Sequence, residues 1–114
     1  MNLAICILFH EKVQQTLECI QSFIPSGVSI YILNNGSSKE SRKELGSFCS
    51  NFSQIRIIDS EKNLGVGVGR NWLINNTTEE WLLFADNDII IFTPDWLEKI
   101  KNHIKNLPDI EVFV

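Results

Sequence analysis

Trp81-Leu82-Leu83-Phe84-Ala85-Asp86-Asn87-Asp88-Ile89-Ile90-Ile91-Phe92 is the segment that decides the reading of this chain. It is an apolar run broken once, by two carboxylates with one residue between them. Glu80 to Ala85 reads as a strand that stops at Asp86, and Ile89 to Phe92 reads as strand-like again. Two carboxylates in such surroundings repel each other and lose hydration, which is costly unless a cation lies between them. Mg²⁺ and Mn²⁺ favour oxygen ligands of this kind and bridge to substrate phosphates. A surface turn joining two strands is the plainer explanation of the same residues, since Asn and Asp favour turns.

Outward from this segment, strands alternate with helices. Leu3 to Phe9 is a nearly continuous apolar run, as in a strand buried on both faces. Val13, Leu17, Ile20 and Ile24 recur at helical spacing until Pro25-Ser26-Gly27 breaks the pattern. Val28 to Leu33 is a second strand. Ser37-Ser38-Lys39-Glu40 has the capping-box form and opens a helix carrying Leu45, Phe48 and Phe52. Ile55 to Ile58 is a short third strand, followed by a glycine-rich turn over Asn63 to Gly69 and a helix over Arg70 to Asn75. Beyond the carboxylates, Thr93 is the expected N-cap of a helix, with Pro94 at its first position, Asp95 in its first turn, and Leu97, Ile100 and Ile104 on its apolar face. Ile110 to Val114 reads as the start of another strand. Trp72, Trp81 and Trp96 are expected to pack in or against the core. The alternation predicts a mainly parallel sheet with helices on both faces, whose ligands bind beyond the carboxyl ends of the strands.

Each polar cluster falls at such an end. His10-Glu11 follows the first strand, Asn34-Asn35-Gly36-Ser37 the second, Asp59 the third and Asp86-Asn87-Asp88 the fourth. Taken singly, Asn34-Asn35 reads as a turn and helix cap, and His10 as a solvated loop histidine. His103, on a surface helix, has no functional reading. Gly65-Val66-Gly67-Val68-Gly69-Arg70-Asn71 allows close backbone approach ahead of a helix N-terminus, which attracts anions. It differs from the dinucleotide fingerprint, since it follows the third strand and places Arg70 where the third glycine would stand. Arg70 offers a planar, permanently charged fork for a phosphate or a base carbonyl.

The 114 residues, 44% of them hydrophobic, suffice for one small core. A formal net charge of −4 argues against a nucleic-acid-binding face, yet one diphosphate is neutralised locally by a cation and a few donors. Cys6, Cys19 and Cys49 are odd in number and lack C-x-x-C spacing, so free buried thiols in a reducing cytoplasm are expected rather than disulfides or zinc. The Asn-x-Ser/Thr matches at Asn35, Asn51 and Asn76 are read as chance in an Asn-rich chain. No apolar stretch reaches the roughly 20 residues of a membrane span. The expected location is the cytoplasm, or the inner membrane surface for a full-length protein.

In order and spacing these motifs resemble the N-terminal half of glycosyltransferase family 2, of the GT-A fold. Phe9-His10-Glu11 matches the family's polar turn after the first strand. Asn34-Asn35-Gly36-Ser37 matches its D-x-S turn, Asn63-Leu64-Gly65 with Gly69-Arg70-Asn71 its N-x-G-x-x-x-x-R-N segment, and Asp86-Asn87-Asp88 its D-x-D motif. The resemblance covers essentially the whole chain. It implies that Glu11, Asn34 and Asn35 contact the base and ribose, that Arg70 lies near the base or diphosphate, that Asp86 helps hold the nucleotide, and that Asp88, with Asp86, holds Mg²⁺ or Mn²⁺. It further implies a sugar-nucleotide donor, uridine-based, and a carbohydrate or lipid-linked acceptor, with metal-assisted, inverting transfer. Residues 1–114 would then be the donor-binding part of a GT-A domain, a truncated one whose acceptor half and catalytic base lie in later sequence.

The chain departs from the family pattern in the second-strand turn, where an acidic residue is usual and this chain has Asn34 or Asn35. A sugar-1-phosphate nucleotidyltransferase would need a glycine- and Arg-rich loop after the first strand, and residues 9 to 14 contain no glycine. A non-catalytic receiver-like signalling domain, which Glu11 and Asp59 fit loosely, leaves the glycine turn and Asp86-Asn87-Asp88 unexplained. A degenerate nucleotide-binding module is the remaining alternative.

Overall fold

The computed structural model describes residues 2–112. Four strands, β1 (Leu3–Phe9), β2 (Ser29–Asn35), β3 (Ile55–Ser60) and β4 (Trp81–Ala85), alternate with helices α1 (Val13–Phe23), α2 (Lys39–Cys49), α3 (Gly65–Asn75) and α4 (Trp96–Asn106). The strands form one parallel sheet in the order β3-β2-β1-β4.

β1 is central, which explains its unbroken apolar sequence. Its alternate residues Leu3, Ile5, Ile7 and Phe9 pack with Ile20 and Phe23 of α1, Leu45 of α2 and Trp96 and Ile104 of α4. Ala4 and Cys6 face the other way, against Tyr31, Leu33 and Leu73 of α3. Three helices therefore cover one face and α3 covers the other, the α/β layering expected from the sequence. Because β1 is flanked by β2 on one side and β4 on the other, the strand order reverses between β1 and β4. In open parallel sheets a crevice forms at the carboxyl ends beside such a reversal.

Several local expectations are corrected. The glycine-rich segment is helical from Gly65 onward rather than a turn. Gly69 is buried, and a Cβ there would run into Leu8 Cδ2 and approach Leu33 Cδ2 to 3.3 Å. Close packing of α3 on β1 and β2 thus outweighs the poor helix propensity of glycine, about 1 kcal/mol per residue. The N-cap of α2 is Ser38 rather than Ser37, with Ser38 Oγ accepting from Ser41 N. The N-cap of α4 is Asp95, and Thr93-Pro94 lies in the turn before it.

Ile89 to Phe92 is not a strand. Its backbone is drawn to α1, where Ile91 N donates to Ser22 Oγ at 3.1 Å, and Ile91 packs against the core while Phe92 is 85% exposed. Ile110 to Val112 is not strand either, and the rest of that expected strand, 113–114, lies outside the described residues. Trp96 is buried and meets Phe23 edge to face at 5.4 Å, whereas Trp72 is exposed. Among the described residues no helix is long and apolar enough to cross a membrane.

Candidate functional site

A cleft of about 330 Å³ opens at the carboxyl ends of β1 and β4. Its wall includes His10 and Lys12 from the loop after β1, Asn35 from the end of β2, Arg70 from α3, and Asp86 and Asn87 after β4. The sheet register brings these ends into line: Phe9 lies opposite Asn34, and Asn34 opposite Asp59.

The β4 side carries opposite charges on open side chains. Arg70 Nη2 stands 3.9 Å from Asp86 Oδ1, and its guanidinium lies over the Phe84 ring, 5.6 Å from the centroid. With 46% and 75% of the two side chains exposed, this pair is loosely held and contributes little to stability. Asp86-Asn87-Asp88 forms a turn closed by Ile89 N donating to Asp86 O at 3.2 Å. It is tied to α1 through one side chain and one backbone carbonyl: Asn87 Nδ2 donates to Thr16 Oγ1 at 3.1 Å, and Cys19 Sγ donates to Asp86 O at 3.5 Å. The turn is thus fixed while both carboxylates remain exposed to solvent. Asp88 lies outside the cleft wall. Both acids are near enough to Cys19 to act on it. Burial first, then Asp88 and Asp86, pushes its thiol up to about 11. Cys6 and Cys49 are raised by burial as well, to about 12 and about 11. All three cysteines are free, buried and protonated at neutral pH.

On the β2 side the polar groups are engaged with one another. Asn34 is buried; its Nδ2 donates to Asp59 Oδ1 at 2.9 Å and its Oδ1 accepts from Ser37 N at 3.2 Å. Asn35 Oδ1 accepts from Leu64 N at 2.7 Å, and its Nδ2 donates to Gly65 O at 3.3 Å, fastening the start of α3 to β2. Each amide acts as donor and acceptor at once, which a carboxylate cannot do. That is the physical reason for Asn at both positions. Arg42 holds Asp59 from the other side, Nε at 2.7 Å and Nη2 at 3.3 Å. These hydrogen bonds, from Arg42 foremost and then Asn34, hold the Asp59 carboxyl below its ordinary range.

Glu11 and Lys12 have left-handed backbones, φ 53° and 55°, a conformation uncommon outside glycine that is often found at functional loops. The turn aims the Glu11 carboxylate at the N-terminus of α2. There it accepts from Ser41 Oγ, from Ser38 N at 2.7 Å and from Ser38 Oγ at 3.1 Å. Hydrogen bonds from Ser41 and then Ser38 hold its pKa below the ordinary value. Glu11 therefore serves α2 as a cap, and neither Glu11 nor Asn34 lies on the cleft wall. The two acids that a receiver-like site would need, Glu11 and Asp59, are both occupied by structural partners.

The structure thus brings Asn35, Arg70 and Asp86 together in the cleft and sets Glu11 and Asn34 behind its β2 side. His10, read from sequence as solvated, lines the cleft, and its Nδ1 lies 2.9 Å from Asn35 O. Lys12 and Gln15 were not anticipated. Their position just past the first strand end was the available signal, but the reversal of the chain at Glu11-Lys12 is invisible in the residue types. Among the described residues no group of three or more His, Cys, Asp or Glu gathers around one point. Two exposed hard-oxygen donors on a fixed turn nevertheless suit Mg²⁺ or Mn²⁺, which keep several waters and complete their shell with substrate phosphate.

Residues 4–114 match the family model for glycosyl transferase family 2. An uncharacterized protein of Haemophilus influenzae is 29% identical over 84 residues, 72% of this chain and 45% of that protein. Among solved structures, S. aureus TarS 1-349 in complex with UDP-GlcNAc superposes with a TM-score of 0.77 at 16% identity, over 93% of this chain and 32% of that one. The mannosyltransferase PcManGT from Pyrobaculum calidifontis, in complex with GDP-Man and Mn²⁺, gives 0.81 at 9% identity, over 90% and 32%. The chain spans less than half the length of the curated relative and about a third of these two structures.

Proposed function

The chain belongs to glycosyl transferase family 2, and from that premise we propose that it binds the sugar-nucleotide donor, with its divalent metal, for a glycosyl transfer. The observation that carries this reading is the open Arg70–Asp86 pair at the mouth of the cleft, beside a turn whose carboxylates are exposed and which is anchored to α1. Arg70 and Lys12 present positive charge to a diphosphate. Asp86 and Asp88 are the residues that would hold Mg²⁺ or Mn²⁺, and the bound metal would neutralise the charge developing on the leaving nucleoside diphosphate. Asn35 shapes the base end, and Glu11 and Asn34 act there by fixing the loops. Relatives of the same fold have been captured with UDP-GlcNAc and with GDP-Man and Mn²⁺, which supports a nucleoside diphosphate sugar as donor; a uridine base is proposed from the family resemblance alone.

The transfer is read as inverting, onto a hydroxyl of a carbohydrate or lipid-linked acceptor, and the general base is assigned to sequence outside these residues. Glu11 caps α2 and Asp59 pairs with Arg42, while the exposed Asp86 and Asp88 are assigned to the metal. The protonated, buried thiols accord with a reducing cytoplasm. Titration of a uridine diphosphate sugar into the chain, with Mn²⁺ and with EDTA, tests the donor-site reading.

A further inference from the structure

The cleft has two chemically different ends. One end carries the Arg70–Asp86 pair, between α3 and the end of β4, and Lys12 lines the wall from the loop after β1. The opposite end lies where His10 meets the backbone of Asn35 after β2. If the diphosphate occupies the charged end, as the donor-site reading on which this inference rests requires, the base lies toward His10. The acceptors at that end are already engaged. Asn35 Oδ1 takes Leu64 N, Asn63 Oδ1 takes Gly65 N at 2.8 Å, and Glu11 takes its three donors from α2.

His10 is the exception. Its Nδ1 faces a carbonyl oxygen, which only accepts, so Nδ1 carries the proton. In the neutral ring the other nitrogen, Nε2, is then a bare acceptor. It has no hydrogen-bond partner among the described residues, and the ring lines the cleft. Gln15, also in the wall, presents a donor and an acceptor together and turns to suit either, so it imposes no choice by itself.

We infer that His10 selects the nucleotide by accepting a hydrogen bond from a ring imide N–H of the base, the N3–H of uracil or the N1–H of guanine. Cytosine offers an acceptor at N3, so the same contact would set two lone pairs against each other. His10 is exposed in the free chain, so the discrimination arises when a base seated in the cleft covers Nε2: a base lacking a donor there takes water from that nitrogen and leaves it unpaired.

The test is calorimetric titration of the 114-residue chain in Mn²⁺ with UDP, GDP, CDP and N3-methyluridine diphosphate, repeated with the His10→Ala variant; for a guanine-preferring chain, N1-methylguanosine diphosphate replaces the methylated uridine. The wild-type chain is expected to bind UDP or GDP about tenfold or more tightly than CDP and than the matching methylated base. The tighter of UDP and GDP identifies which imide is read. In His10→Ala the gap between the native and methylated base should close. Equal binding of native and methylated nucleotides by the wild-type chain overturns the assignment without any variant. So does a gap of unchanged size in His10→Ala. Failure of the wild-type chain to bind any of the nucleotides overturns the donor-site reading and the His10 assignment together, whereas tight but indiscriminate binding overturns His10 alone.

Discussion

Asn34 Nδ2 donates to Asp59 Oδ1 at 2.9 Å, an uncharged amide in the turn where the resemblance to glycosyltransferase family 2 leads one to expect an acid at position 34 or 35. The amide is buried and its partner is a carboxylate already bound by Arg42. Asn34→Asp would replace a donor by an acceptor and place two like charges together. The expected loss is about 1–3 kcal/mol, the cost of an unpaired buried polar group, read as a lower urea midpoint. Adding Asp59→Asn should restore much of it, since an amide at 59 donates to the new carboxylate. A double variant no more stable than the single would show that the contact is energetically idle.

Acid should weaken the fold through Glu11 and Asp59. Both carboxyls lie below their ordinary values in the folded chain. Their contribution is therefore present above the unfolded values, near about pH 4, and is lost as pH falls through the lower folded values. Urea midpoints measured against pH should fall on the acid side of neutrality, and fall less steeply in a Glu11→Gln/Asp59→Asn variant. Parallel curves for the two proteins would assign the acid sensitivity to other groups.

Gly36 has φ 75°, and a Cβ there would stand 2.5 Å from Asn63 N and 2.6 Å from Lys62 C. Neither a left-handed backbone nor a backbone clash is relieved by moving a side chain. Gly36→Ala should cost about 2–4 kcal/mol, combining αL strain with overpacking. Thermal unfolding checks this, and a variant as stable as wild type would mean that the Asn63 loop moves aside freely.

What was legible in the sequence followed from burial. Leu3 to Phe9 is apolar throughout because β1 has a strand on each side and helices above and below, and that pattern identified both the strand and the parallel sheet. The strand-end position of Asp86 was legible for the same reason, since the chain turns polar where β4 ends, whereas Arg70 reaches the cleft from within α3. Ile89 to Phe92 misled because β-branched composition reports a preference, while Ser22 and the α1 face decide where the segment goes. Gly65 to Gly69 misled because close packing at Leu8, not glycine's freedom, explains the residue at 69. The capping role of Glu11 depends on two left-handed residues and on Ser38 and Ser41 about 30 positions later, a relation that no local pattern carries.

The 114-residue chain should bind donor yet transfer sugar poorly. A positioned general base contributes a factor of about 100 to 10,000 in rate; Glu11 and Asp59 are held by structural partners, and the exposed Asp86 and Asp88 are assigned to the metal. A transfer assay comparing this chain with a version extended to the length of its relatives, with matched donor and acceptor, is expected to show turnover mainly in the longer protein. Comparable turnover in both would place the base within residues 1–114.

The central claim is that the cleft beside Arg70 and Asp86 binds a nucleoside diphosphate through a divalent metal held by Asp86 and Asp88. Calorimetric titration of a uridine diphosphate sugar tests it most directly, carried out in Mn²⁺, in EDTA, and in Mn²⁺ with Asp88→Ala. Binding is expected in Mn²⁺, with affinity lower by at least about tenfold, or about 1.4 kcal/mol, in EDTA and in the variant. Equal affinity with Mn²⁺ and with EDTA would contradict the account.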